Sequence, residues 1–360
     1  MIYLDYQATT PLAPEALAAM LPWLESQHAN PHSPHAPGRA AKAAVEVARG
    51  QVGALLPAGG RVAFTSGATE ALNWAIKGTS GPIVTLATEH AAVLDTVAAS
   101  GRPVTVLAVG PDGLVDLDVA RAAITPGTGL VAAMLVNNEI GVVQPIAELA
   151  EIAHAAGALF LCDAVQGYGR VPIPATCDLV AISAHKIHGP KGIGALWVRD
   201  GAALVPLLHG GGQEAPGRSG TLSPALCAGF GAAAKVAAAR SDEDAAHVRR
   251  LWTAATQRLG LGWQLNGSAS NRYHGNLNLH REGLDVARLM ADLRDIAFSA
   301  GSACASGSGR PSHVLRALGL SEAQTRSSIR IGFGRMTTEE ELMTALDRIC
   351  AAADAQRVAA

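Results

Sequence analysis

The sequence predicts an α/β fold built on a doubly wound, mostly parallel sheet of seven strands, with a smaller α+β domain beside it. Three observations support this prediction. Seven short apolar runs lie between residues 60 and 200, helical patterns separate several of them, and the pattern changes after about residue 235. Strands that alternate with helices along a chain are typical of parallel sheets with helices on both faces.

The apolar runs lack the alternation of apolar and polar residues that marks a half-exposed strand. Continuous short runs are typical of strands that are buried on both faces. We therefore assign one strand of the central sheet to each run. The runs are RVAFT (61–65), IVTLAT (83–88), VTVLAV (104–109), LVAAMLV (130–136), ALFLC (158–162), DLVAIS (178–183) and GALWV (194–198).

Helical periodicity appears between several of these runs, at roughly 68–77, 90–99, 116–123 and 146–156. This order of strands and helices favours a doubly wound sheet. Such sheets bind ligands at the carboxyl ends of their strands. The residues that directly follow the predicted strands are therefore the candidate site residues.

The last third of the chain has a different pattern. Amphipathic helices are predicted over 245–260 and 285–296, and strands over 274–280 and 328–334. This mixture indicates a smaller α+β domain. The residue pattern leaves open which of the two parts the N-terminal segment joins.

Composition excludes several classes of function. The 360 residues include 28 Lys and Arg against 30 Asp and Glu, with no basic stripe, so direct nucleic-acid binding is not expected. No apolar run approaches the roughly 18–20 residues of a membrane helix. The start, MIYLDYQATT, lacks the features of a signal peptide, so we expect a cytoplasmic protein. The five cysteines form no CxxC pair, so no resident metal site is expected.

Polar residues follow the predicted strands at the edge where a ligand would bind. A glycine turn with Thr69 enters a helix after the first strand, and this is a ready anion site, although an ordinary helix N-cap is the better interpretation of that stretch alone. His90 follows the second run, and a lone histidine is more often structural. The other strand ends carry Asn137 and Asn138, Asp163 with Gln166, and Lys186.

Together these groups match pyridoxal phosphate. The cofactor needs a phosphate cradle, an aromatic neighbour, a carboxylate that holds the pyridine-ring proton, and a lysine amine that bonds to its aldehyde. Asp163 and Lys186 supply the last two. We choose Lys186 as that lysine because it stands directly at a strand end, whereas Lys191 follows a proline turn and is expected in a turn or on the surface.

Twelve motifs then resemble, in order from residue 2 to about 340, those of NifS/IscS-type cysteine desulfurases, which are class V, fold-type I pyridoxal-phosphate enzymes. The motifs are YLDYQATTP, NPHSPH, TSGATEALNWAIKG, TEHAAVLD, VNNEIGVVQPI, CDAVQGYG, SAHKIHGPKGIGALWVR, HGGGQE, RSGTLS, SAGSACASG, PSHVLRALG and SSIRIGFGR.

The resemblance implies a role for each matching residue. The catalytic residues would be Lys186, Cys304 and His90, with His90 stacked on the cofactor ring. The ring contacts would come from Asp163, Gln166 and Asn138. The phosphate ligands would be Ala68, Thr69, Ser183, His185 and, from the other subunit, Thr221. Arg330 would bind the substrate carboxylate, with Asn30 and Asn138 nearby.

The resemblance also implies a homodimer whose small domain joins residues 1–14 to residues 241–360, beside a large cofactor domain over residues 15–240. Two departures from the motifs, Gln7 and His188, are expected to be peripheral to the chemistry.

Cys304 lies in SAGSACASGSGRP (299–311), a stretch of small residues that predicts a mobile loop rather than a packed core. This placement favours a nucleophile. The implied reaction converts L-cysteine to L-alanine and leaves the sulfur on Cys304 as a persulfide, for delivery to an acceptor such as an iron–sulfur scaffold or a tRNA-thiolation relay. Cys304 could share a cluster with such a scaffold transiently. The alternatives are a selenocysteine lyase or another class V aminotransferase.

Overall fold

The structure is a computed structural model that describes residues 1–214, 217–260, 262–301 and 312–358. Its strands form three sheets. They are β1 (Ile2–Tyr3), β2 (Gly60–Thr65), β3 (Ile83–Leu86), β4 (Val104–Leu107), β5 (Leu130–Met134), β6 (Leu159–Asp163), β7 (Leu179–Ser183), β8 (Gly194–Arg199), β9 (Gln264–Leu265), β10 (Asn276–His280), β11 (Ile296–Ala297), β12 (Ser299–Ala300) and β13 (Ser328–Gly332).

The helices of the described ranges alternate with the strands in the first part of the chain. They are α1 (Pro14–Glu25), α2 (Ala36–Gly53), α3 (Ala68–Lys77), α4 (Ala91–Ala99), α5 (Leu117–Ala123), α6 (Ile146–Ala155), α7 (Pro224–Ala239), α8 (Ser241–Arg258), α9 (Val286–Asp292), α10 (His313–Ala317), α11 (Glu322–Arg326) and α12 (Glu339–Val358). Within the described ranges, none of these helices is long and apolar enough to cross a membrane.

The central sheet has seven strands in the order β2-β8-β7-β6-β5-β3-β4, and each predicted apolar run forms one of them. The neighbours from β7 to β4 pair in parallel, whereas β8 is antiparallel to both β2 and β7. The prediction of a doubly wound, mostly parallel sheet is confirmed. The amino end of β8, at Gly194, consequently lies beside the carboxyl ends of β2 and β7.

Each face of the central sheet has its own apolar core, which explains why the strands read as continuous apolar runs. Val62 and Phe64 of β2 belong to one core, and Ala63 between them belongs to the other. The first core is closed by α2, α6 and α7, and the second by α3 and α4. A parallel sheet needs this cover because both of its faces are apolar.

The C-terminal part contains an antiparallel sheet in the order β12-β13-β10-β9. Its core packs against α8 and α12 and includes Leu4 from the start of the chain. The first strand, β1, pairs in parallel with β11. The N-terminal strand therefore joins this part, while α1 packs against α7. The domain boundaries expected at residues 14 and 240 stay a prediction.

One predicted helix is shorter than the sequence pattern suggests. The pattern over 285–296 predicts a helix, but α9 ends at Asp292. Ile296, the last apolar residue of that pattern, pairs instead with Ile2 across the chain. Pairing between residues so far apart in sequence leaves no local pattern. The helical periodicity therefore extends the predicted helix beyond its observed end.

Candidate active site

A cavity of about 590 Å³ lies at the edge of the central sheet where most strands end. This volume is in the range of small-molecule sites. Ten of the residues expected from sequence line it. They are Ala68, Thr69, His90, Asn138, Asp163, Gln166, Ser183, His185, Lys186 and Arg330.

The floor of the cavity includes the N-terminus of α3. The N-cap of this helix is Gly67, which supplies no side-chain cap, and a Cβ added there would meet no atom within 4 Å. A Cβ at Gly194, by contrast, would lie 2.7 Å from the Gly67 carbonyl carbon and 2.8 Å from the Ala68 nitrogen. Glycine at 194 therefore lets β8 approach the turn, and the backbone N–H groups that begin α3 form an anion cradle.

His90 is the N-cap residue of α4, and its Nδ1 accepts a hydrogen bond from the Ala92 backbone N–H at 3.0 Å. An accepting Nδ1 assigns the ring proton of neutral histidine to Nε2. Burial lowers the pKa of His90 and outweighs the nearby Asp163 carboxylate, which raises it, while Lys186 and His313 lower it further. The imidazole is therefore neutral near pH 7.

Asp163 ends β6 and is 3% exposed. Its Oδ1 accepts a hydrogen bond from the Val165 backbone N–H at 3.0 Å. Burial raises the pKa of Asp163, although the hydrogen bond from the Val165 N–H and the nearby Lys186 act against that rise. A cation bound against this carboxylate would stabilise its ionised form.

A second buried carboxyl group, Glu89, lies next to Asp163 and is not among the residues predicted from the sequence. Its Oε1 accepts a hydrogen bond from the Met134 backbone N–H at 2.8 Å, and the residue is 1% exposed. Burial and the neighbouring Asp163 raise the pKa of Glu89 well above its usual value. The position of Glu89 directly before His90, in TEHAAVLD, is the sequence feature that could have marked it as a candidate site residue.

Lys186 occupies the last position of a 3₁₀ turn, Ala184–Lys186, that directly follows β7. Its Nζ donates hydrogen bonds to the backbone carbonyls of Gln7 and Ala8. The N-terminal segment is tied to the same turn, because the Thr10 hydroxyl donates to the His185 carbonyl at 2.9 Å. Lys191 is exposed in a turn at the rim of the cavity, as expected.

The expectation that Gln7 is peripheral is wrong, because Gln7 lines the cavity. Its carbonyl accepts hydrogen bonds from Lys186 and, at 2.8 Å, from the Gln166 side-chain amide. These contacts use the backbone of residue 7, so the identity of the side chain did not reveal them. His188 lies outside the cavity lining.

Asn137 and Asn138 have different roles. The Asn137 carbonyl oxygen Oδ1 accepts hydrogen bonds from the backbone N–H groups of Glu139 and Ile140, at 2.9 and 3.0 Å, and this side chain shapes the turn. Asn138 lines the cavity, and its backbone carbonyl accepts a hydrogen bond from Arg330 Nη1 at 3.0 Å. The turn thus joins the central sheet to β13.

Among the described residues, two that were expected in the site do not appear in the lining. Asn30 is exposed, and its Oδ1 accepts a hydrogen bond from the His32 backbone N–H at 2.9 Å. Thr221 is exposed. Cys304 lies outside the described residues. A single chain therefore brings together the expected groups for phosphate, ring and carboxylate, but not Asn30 or Thr221.

Comparisons with known proteins agree with this fold and cavity. The profile of the family described as aminotransferase class-V matches residues 2–344. Curated relatives include the cysteine desulfurase IscS of Rickettsia bellii, 44% identical over 97% of this chain and 90% of the relative, and that of Rickettsia felis, 44% identical over 99% and 92%.

Solved structures include a NifS-like protein from Rickettsia africae, with a TM-score of 0.91 and 30% identity over 98% of this chain and 99% of that one. SspA in complex with cysteine gives a TM-score of 0.83 at 35% identity, over 92% and 99%.

The fold and the cavity define a fold-type I enzyme, and the chain belongs to the class-V aminotransferase family. The resemblance to NifS/IscS-type cysteine desulfurases is confirmed, and the alternative activities are not favoured by these relatives. Membership of this family implies pyridoxal 5′-phosphate as the cofactor.

Proposed function

We propose that this enzyme converts L-cysteine into L-alanine and transfers the substrate's sulfur to Cys304 as a persulfide. The observation that carries the proposal is that one cavity contains both Lys186, an amine that can bond to the cofactor, and Arg330, a cation that can bind the substrate's carboxylate. The chain's family supports the same reaction. Acceptors such as an iron–sulfur scaffold protein or a tRNA-thiolation relay then take the sulfur.

The cavity residues fit pyridoxal phosphate. The open space at Gly67 and the free N-terminus of α3 suit the phosphate, together with Ser183 and His185. The buried Asp163 carboxylate suits the protonated ring nitrogen, and Lys186 suits the aldehyde. When bound, the cofactor supplies an electron sink for the carbon bonded to the substrate amine.

The substrate's carboxylate binds Arg330, whose guanidinium is planar and matches two carboxylate oxygens. This contact fixes the substrate's Cα relative to Lys186. The Lys186 amine then removes the Cα proton and later returns protons to the product. The Gln7 and Ala8 carbonyls hold this amine at the cavity wall, which supports its role in proton transfer.

In the sulfur step, the Cys304 thiolate forms a bond to the substrate's sulfur, and the bond between that sulfur and Cβ breaks. The electron pair of the broken bond stays with Cβ, which gains a proton and becomes the methyl group of alanine. The sulfur pair is oxidised to a persulfide while Cβ is reduced, so no external oxidant is needed. His90 exchanges its Nε2 proton with the substrate thiol or with Cys304.

The described residues on either side of the Cys304 segment support this step. β12 pairs with β13 at Arg330, and the Gly301 N–H donates to the Ser328 carbonyl at 2.7 Å. On the other side, the Ser312 hydroxyl donates to Glu139, next to Asn138. Gly301 and Ser312, the described residues nearest to Cys304 on either side, are therefore hydrogen-bonded to Ser328 and Glu139, which lie close in sequence to the cavity residues Arg330 and Asn138.

Replacement of Cys304 by serine tests the proposal, because a hydroxyl is a far poorer nucleophile toward sulfur than a thiolate. We expect alanine formation to fall by about a thousandfold while the cofactor remains bound and its spectrum still responds to L-cysteine. Mass spectrometry of the wild-type enzyme should find one added sulfur on the peptide that contains Cys304. A normal rate in the variant, or sulfur on another cysteine, would contradict the mechanism.

A further inference from the structure

Arg330 is a buried cation whose partners in the described residues come mainly from outside the central sheet. Its side chain is 1% exposed. Nη1 donates to the Asn138 carbonyl at 3.0 Å, whereas Nη2 donates to Asp5 Oδ1 at 2.7 Å and to the Ser299 hydroxyl at 3.4 Å. A buried cation is costly unless it is paired, and Asp5 provides the carboxylate.

Backbone pairing fixes the position of Asp5. The residue bridges Gly332 of β13, and the Gly332 N–H donates to the Leu4 carbonyl at 2.7 Å. The Ser299 hydroxyl also donates to Asp5 Oδ1, at 2.9 Å. One carboxylate oxygen therefore accepts hydrogen bonds from both Arg330 and Ser299, and its position is set by three different segments of the chain.

The two ends of the guanidinium face different neighbours. Nη2 bonds Asp5, which is not part of the cavity lining, whereas Nη1 bonds Asn138, which is. A guanidinium carries five N–H donors and serves carboxylates on two edges at once. Asp5 and a carboxylate in the cavity therefore use different hydrogens of Arg330.

We propose that Asp5 is a positioning residue that sets the orientation of Arg330 and thereby determines recognition of the substrate's α-carboxylate. The inference rests on the proposed role of Arg330 in binding that group. Asp5 lies outside the cavity lining, and its effect passes through the guanidinium. The consequence is selectivity for amino acids over amines that lack the carboxylate.

The direction in which carboxylate affinity changes when Asp5 is removed distinguishes positioning from simple charge neutralisation. If Asp5 only neutralised Arg330, its removal would leave more positive charge for the substrate and would tighten carboxylate binding. If Asp5 orients Arg330, its removal weakens that binding. The charge-assisted hydrogen bond at 2.7 Å favours the second outcome.

The test measures binding of L-alanine, the product, and of ethylamine, which lacks the carboxylate, to purified holoenzyme by calorimetry. In Asp5→Ala we expect the dissociation constant of L-alanine to rise about tenfold and that of ethylamine to stay unchanged. In Asp5→Asn, which keeps an accepting oxygen, we expect a rise of about threefold for L-alanine alone. Asp5→Asn also serves if Asp5→Ala does not fold.

Asp295→Asn is the matched control, because Asp295 lies beside the β1–β11 pair but forms a surface ion pair with Arg348. This variant should bind both ligands as the wild type does. Unchanged or tighter L-alanine binding in Asp5→Asn, or equal losses for both ligands, would overturn the role of Asp5. If the wild type itself binds L-alanine no better than ethylamine, the role of Arg330 fails instead.

Discussion

At the scale of single residues, their positions in the fold distinguish the two lysines of SAHKIHGPKG. Lys186 follows β7 directly and donates to Gln7 and Ala8, whereas Lys191 is exposed in a turn. Lys186 is the predicted cofactor lysine because doubly wound sheets bind ligands at the carboxyl ends of their strands. Both lysines line the cavity, and a chemical test distinguishes them.

We predict that borohydride treatment of the holoenzyme fixes the cofactor on Lys186. Lys186→Ala should lose the borohydride-stable adduct, and its activity should fall by more than about a thousandfold, because the variant lacks the amine that bonds to the cofactor and transfers the proton. Lys191→Ala is the control and should keep both. Peptide mapping by mass spectrometry measures the adduct, and an adduct on Lys191 in the wild type would refute the assignment.

His188 makes the stability of the fold depend on pH. Burial lowers the pKa of His188 to about 4, and its Nδ1–H donates to the Pro11 carbonyl at 2.9 Å. The unfolded pKa is about 6.5, so between pH 6.5 and about 4 the unfolded chain binds a proton that the folded chain does not. Stability from this group is therefore full above pH 6.5 and falls as the pH drops.

We predict that His188→Asn reduces this acid sensitivity. Asparagine tolerates the positive φ of 67° at this position and retains a donor for Pro11. Between pH 7.5 and pH 5, the free energy of unfolding should fall less in the variant than in the wild type, by roughly 1 to 2 kcal/mol. Urea denaturation at both pH values measures the difference. Equal losses would show that His188 does not titrate as described.

At the scale of elements, the strands and the helices between them were predictable from local pattern. The helix expected over 68–77 forms with those bounds as α3. The helix expected from residue 90 begins one residue later because His90 serves as its N-cap. Buried strands and capped helices have a local pattern, which is why one sequence sufficed for them.

The parts that could not be predicted depend on contacts between distant segments. Asp5 meets Arg330 across 325 residues of sequence, and the Gln7 carbonyl meets Lys186 across 179. Neither contact has a periodicity or a turn residue that reveals it. The part of the cavity at the edge of the central sheet was therefore predictable, whereas the part formed by Gln7 and Ala8 of the N-terminal segment was not.

Gly194→Ala tests the contact between β8 and the anion cradle. A Cβ at this position would lie 2.7 Å from the Gly67 carbonyl carbon and 2.8 Å from the Ala68 nitrogen, so the cradle must move. We predict that affinity for pyridoxal phosphate falls by about tenfold or more, as measured by titration of the cofactor-free enzyme.

Gly53→Ala is the control for that substitution. A Cβ there meets only Val62 Cγ2, at 3.8 Å, and the residue ends α2 away from the cavity lining. This variant should bind the cofactor as the wild type does. Wild-type affinity in Gly194→Ala would mean that the cradle adapts without loss.

At the scale of the whole molecule, the exposure of Thr221 bears on assembly. One chain surrounds its cavity with the groups for ring, amine and carboxylate, while Thr221 remains exposed outside that lining. Two ion pairs tie residues before Thr221 to helices that cover the central sheet: Arg218 with Glu70 of α3 at 2.8 Å, and Glu214 with Arg49 of α2 at 2.6 Å. We propose a homodimer in which this segment presents Thr221 to the phosphate of the partner subunit.

Complementation between two inactive variants tests this assembly. In a heterodimer of Lys186→Ala with Thr221→Ala, a site shared between subunits combines the intact Lys186 of one chain with the intact Thr221 of the other. Random exchange should therefore restore about a quarter of the wild-type sites, because half of the dimers are mixed and each has one complete site of two. Activity is measured at limiting cofactor against each variant alone, after subunit exchange. If Thr221 serves its own chain, every site in the mixture lacks one residue and mixing restores nothing.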